Sequence, residues 1–195
     1  MNKVCNKALD DIKAAGTFKT EHTVIGAIDP VVKILGKDDV LTFCSNNYHG
    51  FNNNPRLQKV AHESLNTHGW GNAAARYVVG TTDRMKEFEE CIAKFYGKEE
   101  ALTLPSCYDA NMGLFAALFD NKDAILTDEF NHASSIDGIR LCRAERHIFK
   151  HMDMASLEEG LKKTQHCRMR VIVTDGVFSM YGDFSPLKDI VKLAK

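Results

Sequence analysis

Five short segments of this sequence carry residues able to do chemistry. Ser106-Cys107-Tyr108-Asp109-Ala110-Asn111 reads as a strand-to-helix turn. The first amides of a helix lack internal partners and sit at the positive end of its dipole, so such a turn can seat a phosphate. The plain alternative is a helix start holding water or a capping side chain. Asp128-Glu129-Phe130-Asn131-His132-Ala133-Ser134 follows another strand-like run. His132 there can stack on a flat aromatic ligand or donate a hydrogen bond; otherwise it packs against, or caps, the helix beginning at Ser134. Thr174 to Met180 brings Asp175 and Ser179, a carboxylate and a hydroxyl that could orient a bound ring or water. The same pair would also make an ordinary turn. Asn46-Asn47-Tyr48 and the stretch Gly69-Trp70-Gly71 through Arg76 to Gly80-Thr81 read as loops, with Arg76 either an anion clamp or half of a structural ion pair.

The elements that must position these residues follow from periodicity. Val4, Ala8, Leu9 and Ile12 predict an opening helix ending near Gly16, and Val31–Leu35 with Val40–Phe43 a hairpin. Asn54-Pro55 opens a helix with Leu57, Val60, Ala61 and Leu65 as its buried stripe. Asp83 caps another that should bury Met85, Phe88, Ile92 and Phe95 before Gly97. Strands and helices then alternate: strand Ala101–Leu104, helix Asp109–Phe119, strand Ala124–Thr127, helix Ser134–Cys142, strand His147–Phe149, helix Ala155–Lys163 capped by Asp153, strand Val171–Thr174, and a last helix from Ser185-Pro186. That alternation predicts an α/β fold, a mostly parallel sheet with helices on both faces. In open sheets of this kind ligands sit beyond the carboxyl ends of the strands, which would gather His132 and the phosphate turn.

The 25 basic and 26 acidic residues nearly cancel, so no bulk attraction to nucleic acid or an anionic membrane is expected. No run approaches the ~20 apolar residues of a membrane helix. Residues 1–11 resemble no targeting peptide. The six cysteines form no C-x-x-C pair, and reduced thiols in an intracellular setting are expected. His147 and His151 are four apart but straddle a strand end, so no metal site is expected. Walker A, G-x-G-x-x-G and G-x-S-x-G signatures are absent.

Taken together and in order, Phe43-Cys44-Ser45-Asn46-Asn47-Tyr48, Gly69-x-Gly71 with Arg76 and Gly80-Thr81, the 106–111 turn with Gly113-Leu114-Phe115, and Asn131 to Cys142 resemble the α-oxoamine synthase family of fold-type I pyridoxal-phosphate enzymes. The match runs from about Gly16 to Lys195. It implies the N-terminal part of that fold's large domain: residues 1–45 an arm of helix and hairpin, 46–195 an incomplete cofactor-binding domain, the small C-terminal domain absent. It implies pyridoxal phosphate held by Ser106, Cys107, Tyr108, His132, Asp175 and Ser179, with His132 stacked on the ring and Asn46 and Arg76 on the substrate side. The branch it resembles exchanges acyl groups, 2-amino-3-ketobutyrate and CoA giving glycine and acetyl-CoA, as a homodimer, in the mitochondrial matrix of eukaryotes or the bacterial cytoplasm. No lysine here matches the family's Schiff-base position, so the chain assayed alone is expected to be inactive. Met85, Tyr181, His49 and Phe51 depart from the family pattern at the edges of its motifs.

Overall fold

The computed structural model describes residues Met1–Lys195, which divide into two compact units, 1–80 and 81–195. In the first, helix α1 (Asn2–Ala14) precedes three short strands, β1 (Val24–Ile25), β2 (Val31–Ile34) and β3 (Asp39–Leu41), paired antiparallel in that order. Helices α2 (Pro55–His68) and α3 (Arg76–Val79) follow. The Asn54 side chain accepts from the Arg56 amide and Pro55 takes the first turn, which is why α2 starts there. The expected buried stripe of α2 is not buried: Leu57, Val60 and Leu65 are exposed, and no residue of α1, α2 or α3 is inside. Periodicity marks the face a helix would bury; it does not supply the surface that covers it.

The second unit begins with α4 (Asp83–Tyr96), capped by Thr82 rather than Asp83 and closed by left-handed Gly97. Its buried residues are Glu89 and Ala93, while Phe88 and Phe95 are exposed. Ala101–Leu104 forms no strand: the Thr103 amide donates to the buried Glu89 carboxylate, 2.8 Å away, instead of to a neighbouring chain.

From α5 (Cys107–Leu118) onward the α/β alternation is present: β4 (Ala124–Asp128), α6 (Ala133–Leu141), β5 (Glu145–Phe149), α7 (Met154–Lys163), β6 (Arg170–Val173) and α8 (Leu187–Ala194), with a two-residue hairpin, β7 (Val177–Phe178) and β8 (Asp183–Phe184), before α8. The main sheet is parallel, in the order β5-β4-β6. β4 is buried along its whole length, and its side chains alternate between the two faces. Ile125 packs with Phe115 of α5 and Ile139 of α6. Leu126 packs on the opposite face with Leu157 and Leu161 of α7 and Ile190 of α8. Burying side chains such as Leu126 and Leu157 contributes on the order of 1.5–3 kcal/mol each. Helices therefore cover both faces of the sheet, as the sequence pattern predicts.

Two glycines set how closely the helices approach. A Cβ on Gly138 would lie 2.4 Å from the Asn111 carbonyl oxygen and 2.9 Å from Phe115 Cδ2, so α6 can cross α5 this tightly only with glycine there. A Cβ on Gly160 would lie 2.9 Å from Leu126 Cδ2, under α7.

Candidate active site

Because β4 and β6 run parallel, their carboxyl ends lie side by side, and the segments leaving them share polar contacts. Asn131, 4 % exposed, is the joint. Its Nδ2 donates to Thr127 Oγ1 and to the Val173 carbonyl, both at 2.8 Å, and its Oδ1 accepts from the Asp175 amide at 2.9 Å. Asp175, so placed, accepts from the His132 amide through Oδ2 at 3.0 Å. The backbone on either side of His132 is thus fixed from the neighbouring strand.

The His132 ring is oriented from its own helix. It caps α6: the Ser134 amide donates to Nδ1 at 3.2 Å and the Ser134 hydroxyl lies 2.7 Å from the same nitrogen. An amide donor on Nδ1 places the proton of the neutral ring on Nε2. Capping and ligand stacking are compatible, since capping uses the ring edge and leaves a face. Ser134 also accepts from Asn111 Nδ2 at 2.9 Å, which ties α5 to α6 beneath the ring.

α5 starts at this end of the sheet. Ser106 is its N-cap, accepting from the Asp109 amide at 3.0 Å while its hydroxyl donates to Asp109 Oδ2 at 2.8 Å. The amides of Cys107 and Tyr108, at the first two helical positions, have no intrahelical acceptor. The Tyr108 ring meets the His132 ring edge-on, with centroids 6.5 Å apart. Its hydroxyl donates to Asp137 of α6. That hydrogen bond holds the Tyr108 phenol above its ordinary range and Asp137 below the carboxylate range, Arg140 adding to the second effect. Two amides pointing outward beside an aromatic ring with a free face suit a ligand with a phosphate on a flat ring.

Ser179 is exposed in the turn between β7 and β8. The hairpin is held to the end of β6 by Ser185, whose amide donates to the Gly176 carbonyl at 3.1 Å and whose hydroxyl lies 3.0 Å from Thr174 Oγ1. Asn46 and Arg76 belong to the first unit: Asn46 is exposed, with Oδ1 3.4 Å from the Tyr48 hydroxyl, and Arg76 begins α3.

Sequence reasoning included Asn131, Asn111 and Asp137 in its motifs but gave no role to these residues, which hold the arrangement. It likewise gave no role to Asp128, 2 % exposed, whose Oδ1 takes the Phe130 amide and His151 Nδ1, each at 2.9 Å, and whose Oδ2 takes the Met152 amide at 3.0 Å. His151 Nε2 lies 3.4 Å from Asp183 on β8. The hydrogen bond to Asp128 raises the His151 pKa, with Asp183 adding to it and burial opposing. An Asp at the end of an apolar run and an Asn beside the candidate histidine, four and one residues before His132, were the available signals.

Residues 38–195 match the family model for aminotransferase class I and II, and the chain belongs to that family. Among curated relatives it is similar to the mouse protein "2-amino-3-ketobutyrate coenzyme A ligase, mitochondrial", 43 % identical over 98 % of this chain and 46 % of the relative. It is also similar to the 2-amino-3-ketobutyrate coenzyme A ligase of Escherichia coli K12, 42 % identical over 95 % of the chain and 47 % of the relative. The 8-amino-7-oxononanoate synthase of Thermosipho melanesiensis is 43 % identical over 97 % and 48 %. Of solved structures, serine palmitoyltransferase of Sphingomonas wittichii superposes with a TM-score of 0.85 at 28 % identity, over 95 % of this chain and 47 % of that one. A serine palmitoyltransferase holding PLP superposes at 0.87 and 27 %, over 99 % and 49 %. The chain spans about half the length of the curated relatives it matches.

Proposed function

We propose that this chain supplies the phosphate- and ring-binding part of a pyridoxal-phosphate-dependent acyltransferase of the α-oxoamine synthase type, acting in the interconversion of 2-amino-3-ketobutyrate and CoA with glycine and acetyl-CoA. The observation that carries this reading is the meeting of the α5 N-terminus, the capped His132 ring and Asp175 at one end of the parallel sheet. Relatives named for that activity in mouse and Escherichia coli support it.

Pyridoxal phosphate, when bound, supplies an electron sink for a carbanion on the amino-acid substrate. The protein's part is binding and orientation. The Cys107 and Tyr108 amides and the dipole of α5 take the phosphate. Ser106 keeps that helix end open by satisfying the Asp109 amide itself. His132 offers a ring face, held by Ser134 at Nδ1 and by Asp175 at its amide. Ser179 donates a hydrogen bond to the cofactor, and Asn46 and Arg76 serve the substrate side, Arg76 as an anion clamp. In this reading residues 1–45 form an arm and 46–195 part of the cofactor domain, the working protein is a homodimer, and it operates in the mitochondrial matrix or bacterial cytoplasm.

The test uses the protein at its natural length. With glycine and acetyl-CoA it should release CoA thiol, and the release should depend on added pyridoxal phosphate after the cofactor is dialysed away. Cofactor-independent release would contradict the assignment. Release with a longer acyl-CoA and not acetyl-CoA would favour a second reading, an oxononanoate-type synthase, which the Thermosipho relative motivates.

A further inference from the structure

The amino ends of the strands, opposite the site described above, carry a second cluster. Glu145 opens β5 and pairs with Ala124 at the start of β4. Its Oε2 lies 3.2 Å from His166 Nε2 and 3.8 Å from Cys167 Sγ, and Sγ lies 3.5 Å from the same His166 nitrogen. One oxygen, one nitrogen and one sulfur thus form a triangle with every atom within 4.8 Å of the others.

The dimensions of that triangle match one face of a metal tetrahedron. Zinc bonds of ~2.0 Å to oxygen and nitrogen and ~2.3 Å to sulfur, opened to tetrahedral angles, put ligand atoms about 3.3–3.6 Å apart. The separations of 3.2, 3.5 and 3.8 Å straddle that range. His147, two residues along β5 and on the same face as Glu145, holds the other carboxylate oxygen, Oε1, at 2.8 Å. Such outer hydrogen bonds aim metal-bound carboxylates. Two cations flank the cluster: Arg168 is paired with the buried Asp123 at 2.6 and 2.9 Å and lies 3.7 Å from Asp120, and Arg170, whose charge is felt at Cys167, donates through Nη1 to the Leu161 carbonyl at 3.2 Å. Glu145 and His166 are exposed and Cys167 half-buried, so an ion can enter from solvent.

We propose that Glu145, His166 and Cys167 bind a zinc ion, with water at the fourth position and His147 positioning the carboxylate. Thiolate and imidazole beside a single carboxylate select zinc over magnesium or calcium, which take all-oxygen sets. The site touches none of the residues expected to hold the cofactor. Its effect is structural: it fastens the turn before β6 to the start of β5, across the amino end of the central strand.

The test titrates the metal-free 195-residue chain with zinc against a chromogenic chelator and, in parallel, with cobalt, whose thiolate complex absorbs in the near ultraviolet. The expected result is one tightly held zinc, a cobalt–thiolate band and a melting temperature that rises with zinc. Cys167→Ser should abolish the band. His166→Gln, at an exposed side chain, should weaken zinc binding by at least tenfold, and His147→Gln by about 10–100-fold. Cys91→Ser, on the exposed surface of α4, should change nothing. Absence of saturable zinc uptake, or uptake and band unaltered in both Cys167→Ser and His166→Gln, would overturn the proposal.

Discussion

Asn131 is buried and satisfied on every side, and it joins the segment leaving β4 to the one leaving β6. Replacing it with alanine strands the Asp175 amide and the Val173 carbonyl, at about 1–3 kcal/mol for a buried group left unpaired. Asn131→Ala should therefore lower stability by that order in denaturant unfolding, and also weaken cofactor binding by releasing Asp175 from His132. Loss of stability with cofactor affinity untouched would mean that the link to Asp175 does not matter. His151 makes a prediction about pH. Its pKa is raised in the folded chain, chiefly by the hydrogen bond to Asp128. The stabilisation is complete below the ordinary imidazole value of about 6.5 and is lost as pH rises through the higher folded value. The facing groups are Asp128, Asp183 and Glu129, whose Oε1 takes the His151 amide. Wild type should thus lose melting temperature across that window, and His151→Gln should lose the step; an identical pH profile for the two would dismiss the ion pair as a stabilising element. The candidate residues themselves were legible in the sequence, because phosphate turns and strand-end histidines have recognisable types and positions. Their supports were not, since Asn111 lies 23 residues from the Ser134 hydroxyl it holds and Asp137 lies 29 from the Tyr108 hydroxyl.

At the scale of elements, sequence reading succeeded where local chemistry decides. The caps at Asn54 and Asp153 and the close of α4 at the left-handed Gly97 stand where type and spacing place them, and the run read as strand Val171–Thr174 is a strand, one residue earlier, at Arg170–Val173. It failed for Ala101–Leu104, an apolar run that gives its amide to a carboxylate, and for β1, β7 and β8, two-residue strands too short to leave a period. The α5–α6 crossing could not be foreseen, because a glycine inside a helical pattern looks like a weakness rather than a contact. Gly138→Ala should push α6 off the Asn111 carbonyl and cost about 1–3 kcal/mol, by the usual penalty for overpacking. Since the same crossing sets Tyr108 against His132, cofactor affinity should fall with it. Unchanged stability in thermal melts would show that α6 shifts freely, and the tight approach would then explain nothing.

The whole molecule exposes 15485 Å². Two independent globules of about 80 and 115 residues would expose roughly 11,000 Å² together. The excess comes from faces such as Leu57 and Val60 of α2 and Phe88 and Phe95 of α4, and β6 also leaves one edge unpaired in the order β5-β4-β6. Apolar faces and open parallel edges associate. The isolated 195-residue chain should accordingly self-associate with rising concentration in light scattering, and a strictly monomeric chain at high concentration would count against these faces being sticky. The amphipathic periods in the sequence announced these faces, but the stripe of a helix records only that a partner surface is wanted.

The most direct test of the account is a spectral titration of this chain with pyridoxal phosphate, comparing wild type with His132→Ala and adding inorganic phosphate as competitor. Stacking on an aromatic face is worth on the order of 0.5–1.5 kcal/mol and the phosphate seat more, so wild type should bind saturably. The variant should then bind a few-fold to about tenfold more weakly, and phosphate should compete with both. Absence of saturable binding, or binding that neither the substitution nor phosphate disturbs, would contradict the placement of the cofactor at the α5–His132–Asp175 end of the sheet.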